Sequence, residues 1–186
     1  MSSTINAEQA LAVLRNSDML YSAEHVNAAV ERMARAITAR LEGTDPLILV
    51  VMHGALIPAS LLFLRLNFPL QISYLHVTRY RGATSGGEIH WVARPNVPVA
   101  GRIVLVVDDI FDEGHTLKAI VDEMHKLGAA EVLSAVLVDK KHDRPKEKLK
   151  IDFIGMEVED RYVFGCGMDY KEYWRNLPGI YALKQE

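Results

Sequence analysis

Two stretches of this chain, Leu47–Met52 and Ile103–Val107, are apolar from end to end yet too short to be helices of ordinary length. A strand with one wet face alternates apolar and polar residues, so unbroken short runs belong to strands covered on both faces. Ile72–Val77 and Val132–Val138 read as further strands, Glu88–Val92 as a strand returning in a hairpin, and Ile151–Val158 and Tyr162–Phe164 as short ones. Helical patterns lie between them. Ala7–Arg15 can start at an Asn6 cap. Val26, Val30, Met33, Ile37 and Leu41 then fall on one helical face, with Ser22 as the cap and Gly43 as the stop. Pro58 suits the first turn of a helix reaching Leu66, and Thr116–Leu127 reads as a helix closed by Gly128. Strands alternating with helices predict an α/β fold with a mainly parallel central sheet flanked by helices. In such sheets ligands bind beyond the carboxyl ends of the strands.

The 186 residues predict one domain able to bury roughly 70% of its unfolded surface, with no need of staples. A formal net charge of -3 implies no broad basic surface, so no nucleic-acid partner is expected. The single cysteine, Cys166, rules out an intrachain disulfide and fits a reducing compartment. No apolar signal core follows the polar start Met1–Asn6, and a cytoplasmic location is expected. Leu47–Leu64 runs 18 residues without a charge, the lower bound for a membrane span. His53, Gly54 and Pro58 interrupt that run and Arg65 closes it, so it reads as strand, turn and helix rather than a membrane segment.

The chemistry concentrates after Val107. Asp108-Asp109-Ile110-Phe111-Asp112-Glu113-Gly114-His115-Thr116 joins the most apolar strand to a helix, and reads as an acidic turn. Adjacent carboxylates at a strand end can hold a diol, or a hard cation through its water shell. Gly114 removes the side chain where an anion would meet the backbone, and the amides from Glu113 to Thr116 can cradle a phosphate at the helix start. Thr116 can cap the helix or donate to the same phosphate. One end therefore suits phosphate and the other hydroxyls or metal, which is what a sugar phosphate needs. The plainer reading makes Asp112 and Thr116 ordinary helix-start residues and Asp108-Asp109 a solvated turn. Acid pairs also occur in phosphate-receiving domains and aspartate-nucleophile phosphatases. Neither explains Asp-Glu-Gly-His-Thr opening a helix, and no Gly-x-x-x-x-Gly-Lys-Ser/Thr run is present.

Val104 to Thr116 resembles the phosphoribosyl pyrophosphate motif of the type I phosphoribosyltransferases, and the likeness extends from roughly Leu47 to the C-terminus. Its later part resembles the hypoxanthine-guanine branch. The resemblance implies the family's fold, with a core over about 40–140 and a small hood lobe from about 1–20 and 141–186. It implies magnesium, phosphoribosyl pyrophosphate and a 6-oxopurine as partners, and a homodimer or homotetramer. By the same resemblance Asp112 exchanges a proton with purine N7, while Asp108, Asp109, Glu113, Gly114, His115 and Thr116 hold the phosphoribosyl group. Met52, His53, Gly54 and Arg175 bind pyrophosphate, and Asp108, Asp109 and Asp169 hold metal. Lys140 meets the purine oxo group, with Lys141 in that role if the register slips by one. Tyr162 stacks on the ring, and Val163 and Asp169 read the base through their backbones. Thr78–Gly87 matches the family's lid, with Tyr80 at the family tyrosine and Arg79 replacing the usual serine. Two departures stand out. His53 occupies a position usually Lys or Arg, a loss of charge that Arg79 or Arg81 is expected to restore. Glu113 replaces a small hydroxyl residue and is expected to point outward, leaving its amide to the phosphate. Two other readings keep the fold: a xanthine-preferring enzyme, and a regulator that senses phosphoribosyl pyrophosphate without turning it over.

Overall fold

The computed structural model describes residues 5–79 and 89–184, with the backbone alone for Arg79. Nine strands and four helices are laid out as α1 (Ala7–Arg15), β1 (Ser17–Tyr21), α2 (Ala23–Leu41), β2 (Leu47–Met52), α3 (Leu56–Phe63), β3 (Gln71–Arg79), β4 (Ile89–Ala93), β5 (Ile103–Phe111), α4 (His115–Lys126), β6 (Glu131–Lys140), β7 (Phe153–Val158), β8 (Val163–Phe164) and β9 (Ile180–Leu183) among the described residues. Six strands form the main sheet in the order β4-β3-β2-β5-β6-β7, and three form a small one, β1-β9-β8. Every pairing in the main sheet is parallel except the edge hairpin β3–β4.

The unbroken apolar runs are the central strands. Leu47, Ile48 and Leu49 of β2 and Val104, Leu105 and Val106 of β5 have no exposed surface, because helices cover both faces. The chain leaves β2 toward β3 on one side and β5 toward β6 on the other. Right-handed crossovers in opposite directions put α3 and α4 on opposite faces. The direction of winding thus reverses between β2 and β5, and a crevice opens at their carboxyl ends. The run Leu47–Leu64 resolves into β2, a turn and α3. No helix among the described residues is long and apolar enough to cross a membrane.

Several local expectations are corrected. β5 does not turn at Val107. It continues to Phe111, because Asp108, Ile110 and Phe111 keep their pairing with Val136, Val138 and Asp139 of β6. The acidic turn is therefore only Asp112-Glu113-Gly114. Gly114, with φ 87°, occupies the α4 cap position, and neither Thr116 nor any other side chain caps that helix. Ser22 occupies the α2 cap position without a side-chain cap, its hydroxyl lying 3.1 Å from His25 Nδ1. Asn6 does cap α1, in a reciprocal box with Gln9. Thr78 and Arg79 belong to β3, α3 ends at Phe63, and Lys140 closes β6 rather than following it.

β1 and β9 were not expected. Ser17–Tyr21 has no clean alternation, and its partner Ile180–Leu183 lies at the other end of the chain. Their pairing ties the two ends together. Arg161 bridges Asp18 and the Leu183 carbonyl, and Trp174 Nε1 donates to the Ala10 carbonyl at 2.9 Å.

Candidate functional site

The turn after β2 and the end of β5 lie against each other. A side chain at Gly54 would place its Cβ 2.1 Å from Asp109 Oδ2, so only glycine lets the two segments approach this closely. The Met52–His53 peptide bond is cis. Asp108 is buried at 7% exposure, and its Oδ1 accepts from the Asp109 amide at 2.9 Å, while Asp109 Oδ1 accepts from the Ile110 amide at 2.8 Å. Burial, with the neighbouring Asp109 carboxylate, holds the Asp108 carboxyl well above its usual range. Burial also raises Asp109, although hydrogen bonds and the Arg175 charge offset part of that.

Gly114 makes the bend into α4. Its positive φ is one that an L-residue resists, and an added Cβ would meet the Phe111 ring at 2.4 Å. The first bond of α4 runs from the Lys118 amide to the Gly114 carbonyl, at 2.9 Å. The amides of His115, Thr116 and Leu117 precede it and have no carbonyl one turn back. They border a cavity of about 310 Å³ that also takes in Met52, His53, Gly54, Asp108, Asp109, Asp112, Glu113, Gly114 and Arg175. Arg175 is held in place: Nη2 lies 2.7 Å from Asp169 Oδ1, and Nη1 donates to the Gly167 carbonyl at 2.8 Å. Glu113 lines the cavity, but its carboxylate lies 3.3 Å from Arg144 Nη1 and 3.5 Å from His115 Nε2. Arg144 lies on the loop after β6 and His115 on the first turn of α4, so both partners come from the rim beside the bend.

A second cavity of about 220 Å³ is lined by Lys140, Tyr162, Val163, Met168 and Asp169, together with Asp109, Ile110 and Asp112. Asp109, Ile110 and Asp112 border both cavities, so the two adjoin across the end of β5. Tyr162 is half exposed and stands edge-on to Tyr170, with ring centroids 5.4 Å apart. Lys140 is buried and its Nζ lies 3.1 Å from Asp112 Oδ2. Lys141 points elsewhere, to Asp139 at 2.6 Å and Glu157 at 2.9 Å. The structure thus gathers all the expected binding residues among those described. Tyr80, Arg81 and the side chain of Arg79 lie outside the described part.

Beyond Lys140 and Lys141, sequence reasoning gave the loop after β6 no part in the site. Instead it closes on the site. Arg144 Nη2 reaches Asp112 Oδ1 at 2.9 Å and Asp160 Oδ1 at 2.8 Å, and His142 Nε2 lies 2.9 Å from the same Asp112 oxygen. Lys146 anchors the loop on Asp139 and the Lys140 carbonyl, and the Glu147 amide bonds to the Glu113 carbonyl. Burial alone would raise the Asp112 carboxyl. The Lys140 hydrogen bond and charge, then Arg144 and His142, outweigh it and hold Asp112 below its usual range. The missed signal was that this stretch carries an imidazole and a guanidinium within four residues of Lys140.

Asp108 and Asp109 offer only carboxylate oxygens, the donor type that magnesium takes. Asp169 is already engaged, by Arg175 at one oxygen and the Glu172 amide at the other. No group of three His, Cys, Asp or Glu among the described residues forms a cage. The set fits a cation held by one or two carboxylates and completed by water and substrate phosphates.

Residues 16–172 match the phosphoribosyl transferase domain family. The chain belongs to that family. The hypoxanthine-guanine phosphoribosyltransferase of Bacillus subtilis is 34% identical to it over 89% of this chain and 92% of that protein. A bifunctional TilS/HprT protein of Listeria monocytogenes is 35% identical over 90% of this chain, but the match spans only 26% of that relative's length. A crystal structure of a hypoxanthine phosphoribosyltransferase from Staphylococcus aureus superposes with a TM-score of 0.87 at 26% identity, over 93% of this chain and 95% of that one. The six-stranded sheet and its crevice are thus a phosphoribosyltransferase fold.

Proposed function

We propose that this phosphoribosyltransferase is a purine salvage enzyme. It moves the phosphoribosyl group of 5-phosphoribosyl 1-pyrophosphate onto hypoxanthine or guanine, releasing IMP or GMP and pyrophosphate. The observation that carries the reading is the pair of adjoining cavities sharing Asp109, Ile110 and Asp112. One presents helix-start amides and Arg175, which suit phosphates. The other presents Lys140 and Tyr162, which suit an oxo group and a flat ring.

In this reading the amides around Gly114 hold the 5′-phosphate, and Asp108 and Asp109 hold the ribose hydroxyls. Pyrophosphate lies over Met52–Gly54 beside Arg175. Purine N9 then attacks the ribose C1 with inversion as pyrophosphate leaves, and Asp112 takes the proton from N7. Arg175 stabilises the departing anion. Asp108 and Asp109, with Asp169 nearby, would hold magnesium through its water shell, and the bound cation would supply positive charge to the pyrophosphate. Lys140 orients the base through its oxo group. The small sheet β1-β9-β8, which carries Val163, acts as the hood above the purine. Assembly as a homodimer or homotetramer and a cytoplasmic location complete the proposal.

The test is release of pyrophosphate from phosphoribosyl pyrophosphate across a panel of hypoxanthine, guanine, xanthine and orotate, with and without magnesium. Fast release that requires both magnesium and a 6-oxopurine is expected. Tight binding without base-dependent release would instead identify a sensing regulator, and fastest release with xanthine would change the preferred base.

A further inference from the structure

One guanidinium meets carboxylates from two separate parts of the fold. Arg144 Nη2 lies 2.9 Å from Asp112 Oδ1 and 2.8 Å from Asp160 Oδ1, and Nη1 lies 3.3 Å from Glu113 Oε1. Asp112 and Glu113 belong to the turn between β5 and α4. Asp160 lies between β7 and β8, two residues before Tyr162. All four side chains are more than a third exposed, so these pairs contribute little to stability. Arg144 does not line either cavity of the site. What the contacts do is fix one segment against another.

The loop that carries Arg144 is fastened on either side of it. Before it, the Lys141 amide donates to the Val158 carbonyl at 2.8 Å. After it, Lys146 Nζ reaches Asp139 and the Lys140 carbonyl and lies 4.8 Å from the centre of the Phe111 ring. The Glu147 amide donates to the Glu113 carbonyl, and Glu147 Oε1 lies 2.6 Å from His115 Nδ1. A planar guanidinium on such a base can meet carboxylates from several directions at once, which a lysine ammonium, a point charge on a flexible stem, does less well.

We propose that Arg144 is a positioning residue that sets the width of the purine slot. The proposal rests on the reading that the second cavity takes the base. That cavity has Tyr162 and Val163 on one side and Ile110, Asp112 and Lys140 on the other. By holding Asp160 against Asp112, Arg144 fixes how far Tyr162 stands from the end of β5. It also fixes how the Asp112 carboxylate presents itself. Arg144 Nη2 and His142 Nε2 both lie 2.9 Å from Oδ1, whereas Oδ2 has Lys140 Nζ at 3.1 Å. Each carboxylate oxygen has roughly two lone-pair sites, so Oδ2 keeps room for the purine N7–H beside the ammonium that meets the oxo group.

The test is a double-mutant cycle in steady-state kinetics, run with whichever purine the wild type turns over fastest. Arg144→Gln should lower kcat/KM for that purine by about 10- to 10²-fold, the scale of a misplaced site. Asp160→Ala should raise the purine KM about fivefold and leave kcat alone, because Asp112 keeps its Arg144 contact. The double variant should be no worse than Arg144→Gln, since the clamp is already open. Arg144→Lys should recover part of the loss and no more. Phosphoribosyl pyrophosphate affinity by calorimetry and melting by circular dichroism should stay near wild type throughout. Wild-type purine kinetics in Arg144→Gln or in Asp160→Ala would overturn the proposal. So would losses that multiply in the double variant, full recovery in Arg144→Lys, or an equal loss of phosphoribosyl pyrophosphate affinity, which marks general disruption. If Arg144→Gln does not fold, the purine KM of Asp160→Ala decides alone. A wild type that releases no pyrophosphate with any purine would sink the proposed function itself, a result the variants cannot mimic.

Discussion

Two glycines with the same backbone strain sit in very different surroundings, and replacing each with alanine separates strain from crowding. Gly101 has φ 74°, and a Cβ there would meet nothing within 4 Å. Gly114 has φ 87°, and its Cβ would fall 2.4 Å from Cε2 of the buried Phe111 ring and 3.3 Å from Glu147 Cβ. Left-handed backbone costs an L-residue about 1–2 kcal/mol at either site. Overpacking adds about 1–3 kcal/mol at Gly114 alone. At about 2–4 °C per kcal/mol for a chain of this size, Gly114→Ala should melt roughly 2–12 °C below Gly101→Ala. Binding should diverge as well. Moving Phe111 or the start of α4 withdraws amides from the phosphate, and one lost charge-assisted bond is worth about 1.5–3 kcal/mol. Phosphoribosyl pyrophosphate affinity should therefore fall tenfold or more in Gly114→Ala, at about 1.4 kcal/mol per decade, and stay unchanged in Gly101→Ala. Thermal melts by circular dichroism and calorimetric titration measure both. Equal melting and equal affinity in the two variants would refute the geometry assigned to the bend.

Three other perturbations have worked signs. Burial raises Asp108 above its ordinary 3.8, so the folded chain keeps a proton there that the unfolded chain has released. Stability then falls as pH rises from about that value through the raised one, and Asp108→Asn should melt higher than the wild type at neutral pH without metal while losing activity. Unchanged melting in that variant would contradict the buried-pair assignment. Asp112→Asn should lose about 10²- to 10⁴-fold in rate with phosphoribosyl pyrophosphate binding little altered, checked by initial rates and calorimetry. Burial, with the Asp109 charge second, pushes the Cys166 thiol up to about 12. Its thiolate fraction at pH 8 is on the order of 10⁻⁴, so iodoacetamide should label the unfolded chain and spare the native one.

The parts legible in the sequence were those encoded locally. β2 and β5 announced themselves as unbroken apolar runs, and α2 by its periodic face. The segment Asp108 to Thr116 carried its chemistry in consecutive residues. What escaped notice depends on long-range contact. β1 exists because it pairs with β9 across nearly the whole chain. The continuation of β5 through Asp108 and Phe111 is set by its ladder with β6, which overrides the turn propensity of two aspartates. Arg144 and His142 took no role from the sequence, and only the anchoring of their loop by Lys146 and Glu147 brings them to Asp112. Glu113 looked like a repulsive intruder at a phosphate site, but Arg144 and His115 take up its carboxylate.

Backbone amide NMR during titration with phosphoribosyl pyrophosphate and magnesium tests most directly whether this bend is a phosphate cup. The amides of Glu113, Gly114, His115 and Thr116 should shift strongly and in parallel with saturation, and those around Gly101 should not move. Tight binding that leaves these four amides untouched, or that perturbs a different part of the chain, would contradict the account.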